Sequence, residues 1–230
     1  ELTRLHRVTK ETGSQNDMSL LEMSAKAVAA KEVVVKMKKS VALAVEALEI
    51  ALDNVGNTSS QSAQDAGLCE TRCVVGFRMA DLVTVEASEA EAEAQLYAAQ
   101  LAELEEEANA MANGVPDPDL ATAIDLFSDL VKTAKLWARV KDSKVCRAWD
   151  LAALLDQKAS LAKLAESPQK QQLWTRLDLR TADIDAELAE ISVDEAKVSG
   201  MMENAKVMSD GAQLSRVLLQ FKLAAEAKAK

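Results

Sequence analysis

The stretch LLEMSAKAVAAKEVVVKMKKSVALAVEALEIALDNV, residues 20–55, decides the fold. Leu20, Met23, Ala27, Ala30, Val34, Met37, Val41, Ala44, Leu48, Ala51 and Val55 recur at alternating steps of three and four, without one polar interruption. Such steps track the helical turn, so these side chains form one stripe on a helix of about 37 residues, ~55 Å long. Val28, Val35, Val45 and Leu52 lie beside the stripe and widen it, which predicts a bundle rather than a two-stranded zipper. Asn54-Val55-Gly56 is the expected stop, because Asn and Gly tolerate the left-handed backbone that ends helices.

The same pattern repeats outward from there. After a polar connector, Asn57 to Gln64, a second stripe runs through Cys69, Cys73, Gly76, Ala80, Val83, Ala87, Ala90, Ala94, Tyr97, Leu101, Leu104, Ala108 and Met111. Its outer face is acidic, with Glu86, Glu89, Glu91, Glu93 and Glu103 to Glu107. Asn113-Gly-Val-Pro-Asp-Pro118 is the clearest turn: Gly114 ends one helix, Asp117 caps the next and Pro118 takes its first position. The third stripe is Ile124, Phe127, Val131, Ala134, Ala138, Lys141, Val145, Ala148, Ala152, Leu155, Ala159 and Ala162. Lys141 is its single violation, so the helix is expected either to break or kink there or to tolerate it, with Trp137 and Trp149 packed about the point. Ser167-Pro168 starts a last segment containing Leu173, Leu177, Ile184, Leu188, Ile191, Val198, Met202 and Ala205, then shifting to Leu214, Leu218, Phe221 and Ala225. Ser192-Val-Asp-Glu195 matches a capping box, and Gly200 and Gly211 are weak points. Two readings stay open: an interrupted segment, or one helix that tolerates them.

The expected architecture is all-α, an elongated antiparallel bundle of three to four long helices with coiled-coil-like packing. Residues 1–17, with Gly13-Ser-Gln-Asn16, read as a loose lead-in, and 18–230 as a single domain. A three-helix core with a broken last segment is the competitor. Val34, Val41, Leu48, Leu101 and Leu104 are the expected core.

Composition agrees. Hydrophobic residues make up 49% but aromatics only 3%, and only 7 Gly and 3 Pro allow the chain to turn. Ala is the commonest residue and Glu the commonest charged one, and both lose little on entering a helix. A net charge of −10 repels phosphate backbones, so no nucleic-acid partner is expected. No apolar run approaches the ~20 residues that span a bilayer.

Candidate chemistry is sparse. His6 is the only histidine, so neither a zinc site nor a paired Glu-x-x-His di-metal site is expected, and no cofactor is implied. No Ser–His or Cys–His nucleophile and no glycine-rich phosphate loop is present, which predicts a protein that is not an enzyme. The carboxylates of Glu103 to Glu107 splay around one turn and read as a solvated face. Cys69 and Cys73 fall on the stripe, either as small buried residues or with one of them bonded to Cys146. A hairpin about Pro116 sets Cys146 opposite the low eighties, roughly 20 Å of helix from Cys73. Asn57-Thr58-Ser59 is a possible N-glycosylation site at Asn57.

The Ala/Glu richness, the acidic rod, the uninterrupted stripes over 20–55 and 69–115, the few cysteines and the lone sequon resemble the helical surface coat proteins of African trypanosomes. The nearest is the glutamic acid/alanine-rich protein of the insect-stage coat; variant surface glycoproteins and the haptoglobin-haemoglobin receptor share the plan. The resemblance rests on composition and architecture and transfers no functional residue. It implies a cell-surface antigen held by a GPI anchor and packed beside neighbouring coat proteins or copies of itself, with membrane contact only through that lipid. With an anchor after Lys230, Asn57 to Gln64 and Ser167-Pro168 would lie at the exposed end. The rivals are a surface receptor for a host or vector protein and a cytoplasmic coiled-coil structural or adaptor protein.

Overall fold

A computed structural model describes the backbone of residues 2–56, 65–110 and 118–228, and the side chains of 22–56, 65–109 and 118–215. The described residues form four helices: α1 (Leu2–Gly56), α2 (Ala66–Ala110), α3 (Pro118–Ala162) and α4 (Pro168–Lys228). No strand occurs among the described residues. The fold is an all-α antiparallel bundle, as the stripes require.

Several local expectations are corrected. Residues 2–17 are not a loose lead-in but the first turns of α1. Extending a nucleated helix adds one hydrogen bond per residue, and one Gly subtracts only about 1 kcal/mol. Gly56 has no left-handed backbone. The turn from Asn113 to Asp117 and the sequon at Asn57 lie outside the described residues, although Pro118 does open α3. Neither α3 nor α4 breaks: both run through Lys141, Ser192, Gly200 and Gly211. Ser192 is not a cap, since its Oγ donates to the Leu188 carbonyl one turn back at 2.8 Å. The start of α4 is as expected, with Ser167 Oγ accepting from Lys170 N at 3.1 Å. Asp65 caps α2 in the same way, accepting from Leu68 N at 3.1 Å.

The contacts divide the chain into two units, 1–34 with 91–136 and 199–230, and 35–90 with 137–198. The first unit is built on Ala94, Leu104, Leu120, Ala123, Phe127, Leu130, Ala134 and Met202. The second has one cluster of Cys69, Cys73, Ala159, Leu161 and Trp174, and another of Ala80, Val83, Ala148 and Ala152. All of these residues come from α2, α3 and α4. Of the expected core, Val34 and Leu104 are buried, whereas Val41, Leu48 and Leu101 are half-buried. The residues that were to widen the α1 stripe, Val28, Val35, Val45 and Leu52, are instead exposed.

Small residues set the spacing of α2 and α3 in the second unit. A Cβ on Gly76 would meet Leu155 Cδ1 at 2.7 Å and the backbone Cα of Ala152 at 3.3 Å. Gly76→Val is therefore expected to destabilise by about 1–3 kcal/mol, because the Ala152 backbone cannot turn aside as a side chain can. Gly200 has open space around its missing Cβ. Gly200→Ala should stabilise by about 0.5–1 kcal/mol through helix propensity alone. Chemical denaturation of both variants checks the pair of opposite signs.

Candidate functional site

The densest polar arrangement lies inside the second unit, where α2, α3 and α4 meet at Lys141. This lysine occupies a stripe position and is 8% exposed. Its Nζ donates to Glu86 Oε2 on α2 at 2.8 Å and to Glu195 Oε1 on α4. Lys144, one turn on, donates to Glu195 Oε2 at 2.7 Å. The Lys141 ammonium also lies 4.8 Å from the centroid of the Trp137 ring. Two ammonium groups and two carboxylates thus neutralise one another in a half-buried layer. Burial alone would lower the Lys141 ammonium, but the two carboxylates outweigh it and hold it above its ordinary value. Burial alone would raise the Glu195 carboxyl, but hydrogen bonds from Lys141 and Lys144 outweigh it and hold it below the usual range.

A second buried lysine closes the α3–α4 junction. Lys170 Nζ donates to the Leu164 carbonyl at 2.8 Å, the Ala162 carbonyl at 3.3 Å and Glu166 Oε1 at 2.6 Å. These carbonyls end α3, where a cation also opposes the helix dipole. One side chain from the first turn of α4 therefore finishes the preceding helix.

In the first unit, a cavity of about 140 Å³ is lined by residues including Tyr97, Gln100, Phe127, Lys206, Ser209 and Gln213. Asp210 and Lys206 are its charged members, and Lys206 Nζ donates to Glu93 Oε2 at 3.1 Å and lies 5.8 Å from the Tyr97 ring centroid. Ser209, 1% exposed, donates to the Lys206 carbonyl at 2.9 Å. The space is large enough for several water molecules.

None of the three cysteines is in a disulfide. Cys69 and Cys73 are buried in the second unit, and Cys73 Sγ donates to Asp156 Oδ1 at 3.6 Å. Neither of the expected pairings, Cys73 or Cys69 with Cys146, is formed. Residue numbers fall along α3 as they rise along α2, so the partner level of Cys73 is Asp156, almost three turns beyond the exposed Cys146. Burial pushes both the Cys69 and Cys73 thiols up, with Asp156 adding to the effect at Cys73. Without reductant, a thiol reagent is expected to label Cys146 fast and the other two slowly. Denaturation should then reveal three reactive thiols; a count of one would restore the disulfide.

Trp149 packs on Phe77, with ring centroids 6.0 Å apart, and its Nε1 donates to Thr84 Oγ1 at 3.0 Å. It does not join Trp137 at Lys141. Glu86, read as part of the outer acidic face, turns inward to Lys141, and Glu195, read as half of a capping box, is its second partner. One signal for Glu195 was present: it stands four residues after Ile191 and three before Val198. Among the described residues, no group of three His, Cys, Asp or Glu side chains is placed to hold a metal ion. No described helix is long and apolar enough to cross a membrane. No family model matches the chain, and neither a curated protein nor a solved structure matches it.

Proposed function

We propose that this chain is a non-enzymatic surface coat protein, a helical scaffold that shields a cell and presents its connectors, similar in plan to the trypanosome coat proteins it resembles. The observation that carries this reading is how the interior charges are used. Lys141, Lys144, Glu86 and Glu195 are spent on one another, and Lys170 on the end of α3. Groups held this way fix helix register, a role attested for buried polar residues in coiled coils. Catalysis instead calls for a tuned group facing a concave site.

The second unit contains the last turns of α1, the first of α2 and the α3–α4 junction. The first contains the last turns of α2, the first of α3 and both chain ends. In an up-and-down order of four helices, a GPI anchor carried beyond α4 would leave Asn57 to Gln64 and Ser167-Pro168 as the displayed segments. Antibodies raised against these segments are expected to label intact cells better than antibodies against Asn113 to Asp119. Equal or stronger labelling at Asn113 to Asp119 rejects the anchored orientation. A precursor without a leader and a hydrophobic tail rejects the surface reading itself.

One observation favours a second reading, a receptor for a host or vector protein. Phe77 and Trp149 form an aromatic pair that stays 37% and 40% exposed, beside Val74 at 50%. Paired exposed aromatics are enriched at binding surfaces. Retention of a host or vector protein that is lost in Trp149→Ala would select this reading over the coat.

A further inference from the structure

One face of α1 within the second unit has no counterpart among the described residues. Opposite its half-buried stripe, a second set of residues, Lys36, Lys39, Leu43, Glu46 and Ile50, recurs at steps of three and four, with Glu49 alongside. All six are exposed, Leu43 by 67% and Ile50 by 58%. Two large aliphatic side chains on an open helix face cost solvation that a partner would recover. None of the four charged residues makes an ion pair among the described residues.

The order of the charges specifies the partner. Both lysines precede Leu43 and both glutamates follow it. A second α1 laid alongside in the same direction sets Lys36 and Lys39 against lysines, and glutamates against glutamates. Turned end for end about a point near Leu43, the same helix sets every lysine against a glutamate. The face is thus self-complementary in one direction only, which is the requirement for a two-fold symmetric contact between identical chains.

We propose that this face of α1 docks a second copy of the chain, antiparallel and related by a two-fold axis near Leu43. Lys36 and Lys39 of each copy lie against Glu46 and Glu49 of the other, and Leu43 and Ile50 of both are covered between them. A contact of about four helical turns is small beside the ~1,200–2,000 Å² of stable complexes, so the pair is weak and reversible. Copies standing in one membrane run in the same direction and cannot form it. The pair belongs to molecules facing each other across two membranes or free of one, and the proposal does not rest on the coat reading.

The test is sedimentation equilibrium of the full chain, from about 10 to 500 μM. A monomer–dimer equilibrium that weakens with added salt is expected. Lys36→Glu with Lys39→Glu, and separately Glu46→Lys with Glu49→Lys, should each weaken dimerisation about tenfold or more, since attraction becomes repulsion at every pair. These positions are exposed, so far-UV circular dichroism should show unchanged helix. An equimolar mixture of the two double variants should regain a heterodimer at least as tight as the native pair. A chain that stays monomeric to the highest concentration overturns the proposal. So does a dimer that neither double variant weakens, or a mixture that regains nothing. None of these outcomes bears on the antibody and precursor tests of the coat reading.

Discussion

Lys141→Met is expected to destabilise the fold by about 3–5 kcal/mol, among the largest effects of any single substitution here. The methionine fills similar space, but Glu86 and Glu195 lose the cation that neutralises them, and Lys144 alone remains beside Glu195. Urea unfolding followed by tryptophan fluorescence measures the loss, with Trp137 in the cluster as reporter. Removing all of the charge should behave differently. Lys141→Met combined with Glu86→Leu and Glu195→Leu is expected to recover most of the stability, because a packed apolar layer avoids the desolvation cost. A Lys141→Met variant within 1 kcal/mol of the native chain would show that the cluster contributes nothing.

The cluster also sets a pH dependence whose sign follows from its two shifted groups. The Glu195 carboxyl is held below 4.5 in the folded chain. Its contribution is present above that value and lost as pH falls through the lowered folded pKa. The Lys141 ammonium is held above 10.5, so its contribution is full below that value and lost as pH rises through the raised one. Between those limits the layer is fully charged. The difference in stability between the native chain and Lys141→Met should therefore narrow as pH drops below about 4.5.

Phe127→Ala is expected to cost about 3–5 kcal/mol. Phe127 is 2% exposed and packs in the main cluster of the first unit with Leu130 and Ala134. The neighbouring helices cannot collapse onto the space, because the surrounding alanines already bring them close. Leu48→Ala should cost distinctly less, about 1 kcal/mol, since Leu48 is only half-buried on α1 and part of its surface already meets water. Equal losses at the two positions, measured by urea unfolding, would mean that α1 is packed as tightly as the other helices.

Most of the helix placement was legible in the order of residues. Stripes at steps of three and four, a Ser-Pro start at Ser167 and a Pro at Pro118 are local signals, and backbone hydrogen bonding along a helix is local too. The described positions of the α2 and α3 stripes are buried or half-buried, whereas buried Leu120, Ala123, Leu130, Leu154 and Leu161 lie beside the α3 stripe and Val74 and Leu136 are exposed. The α4 stripe holds as expected from Leu177 to Ala205 and departs only at its two ends and its polar positions. It runs through Lys170, Trp174, Leu177, Thr181, Ile184, Leu188, Ile191, Glu195, Val198, Met202, Ala205, Ser209 and Ala212 without a shift. Four of those positions are polar, and a reader of hydrophobicity takes each for an interruption. Exposed Leu173 and Leu214 then draw the pattern off its true line.

Those polar positions make sense only with the other helices in place. Lys141 on the α3 stripe reads as a defect in isolation. It becomes a joint because packing brings Glu86 of α2 and Glu195 of α4 to the same level, 55 and 54 residues away in the chain. Lys170 likewise reads as an ordinary first-turn lysine until the end of α3 is placed within its reach. The amino-acid sequence by itself determined that this protein is a set of long helices, and where most of them begin. Their relative register and rotation, and with them the partners of every buried charge, were decided by the tertiary structure. A stripe of small aliphatic residues packs almost equally well in neighbouring registers; a cation between two carboxylates does not.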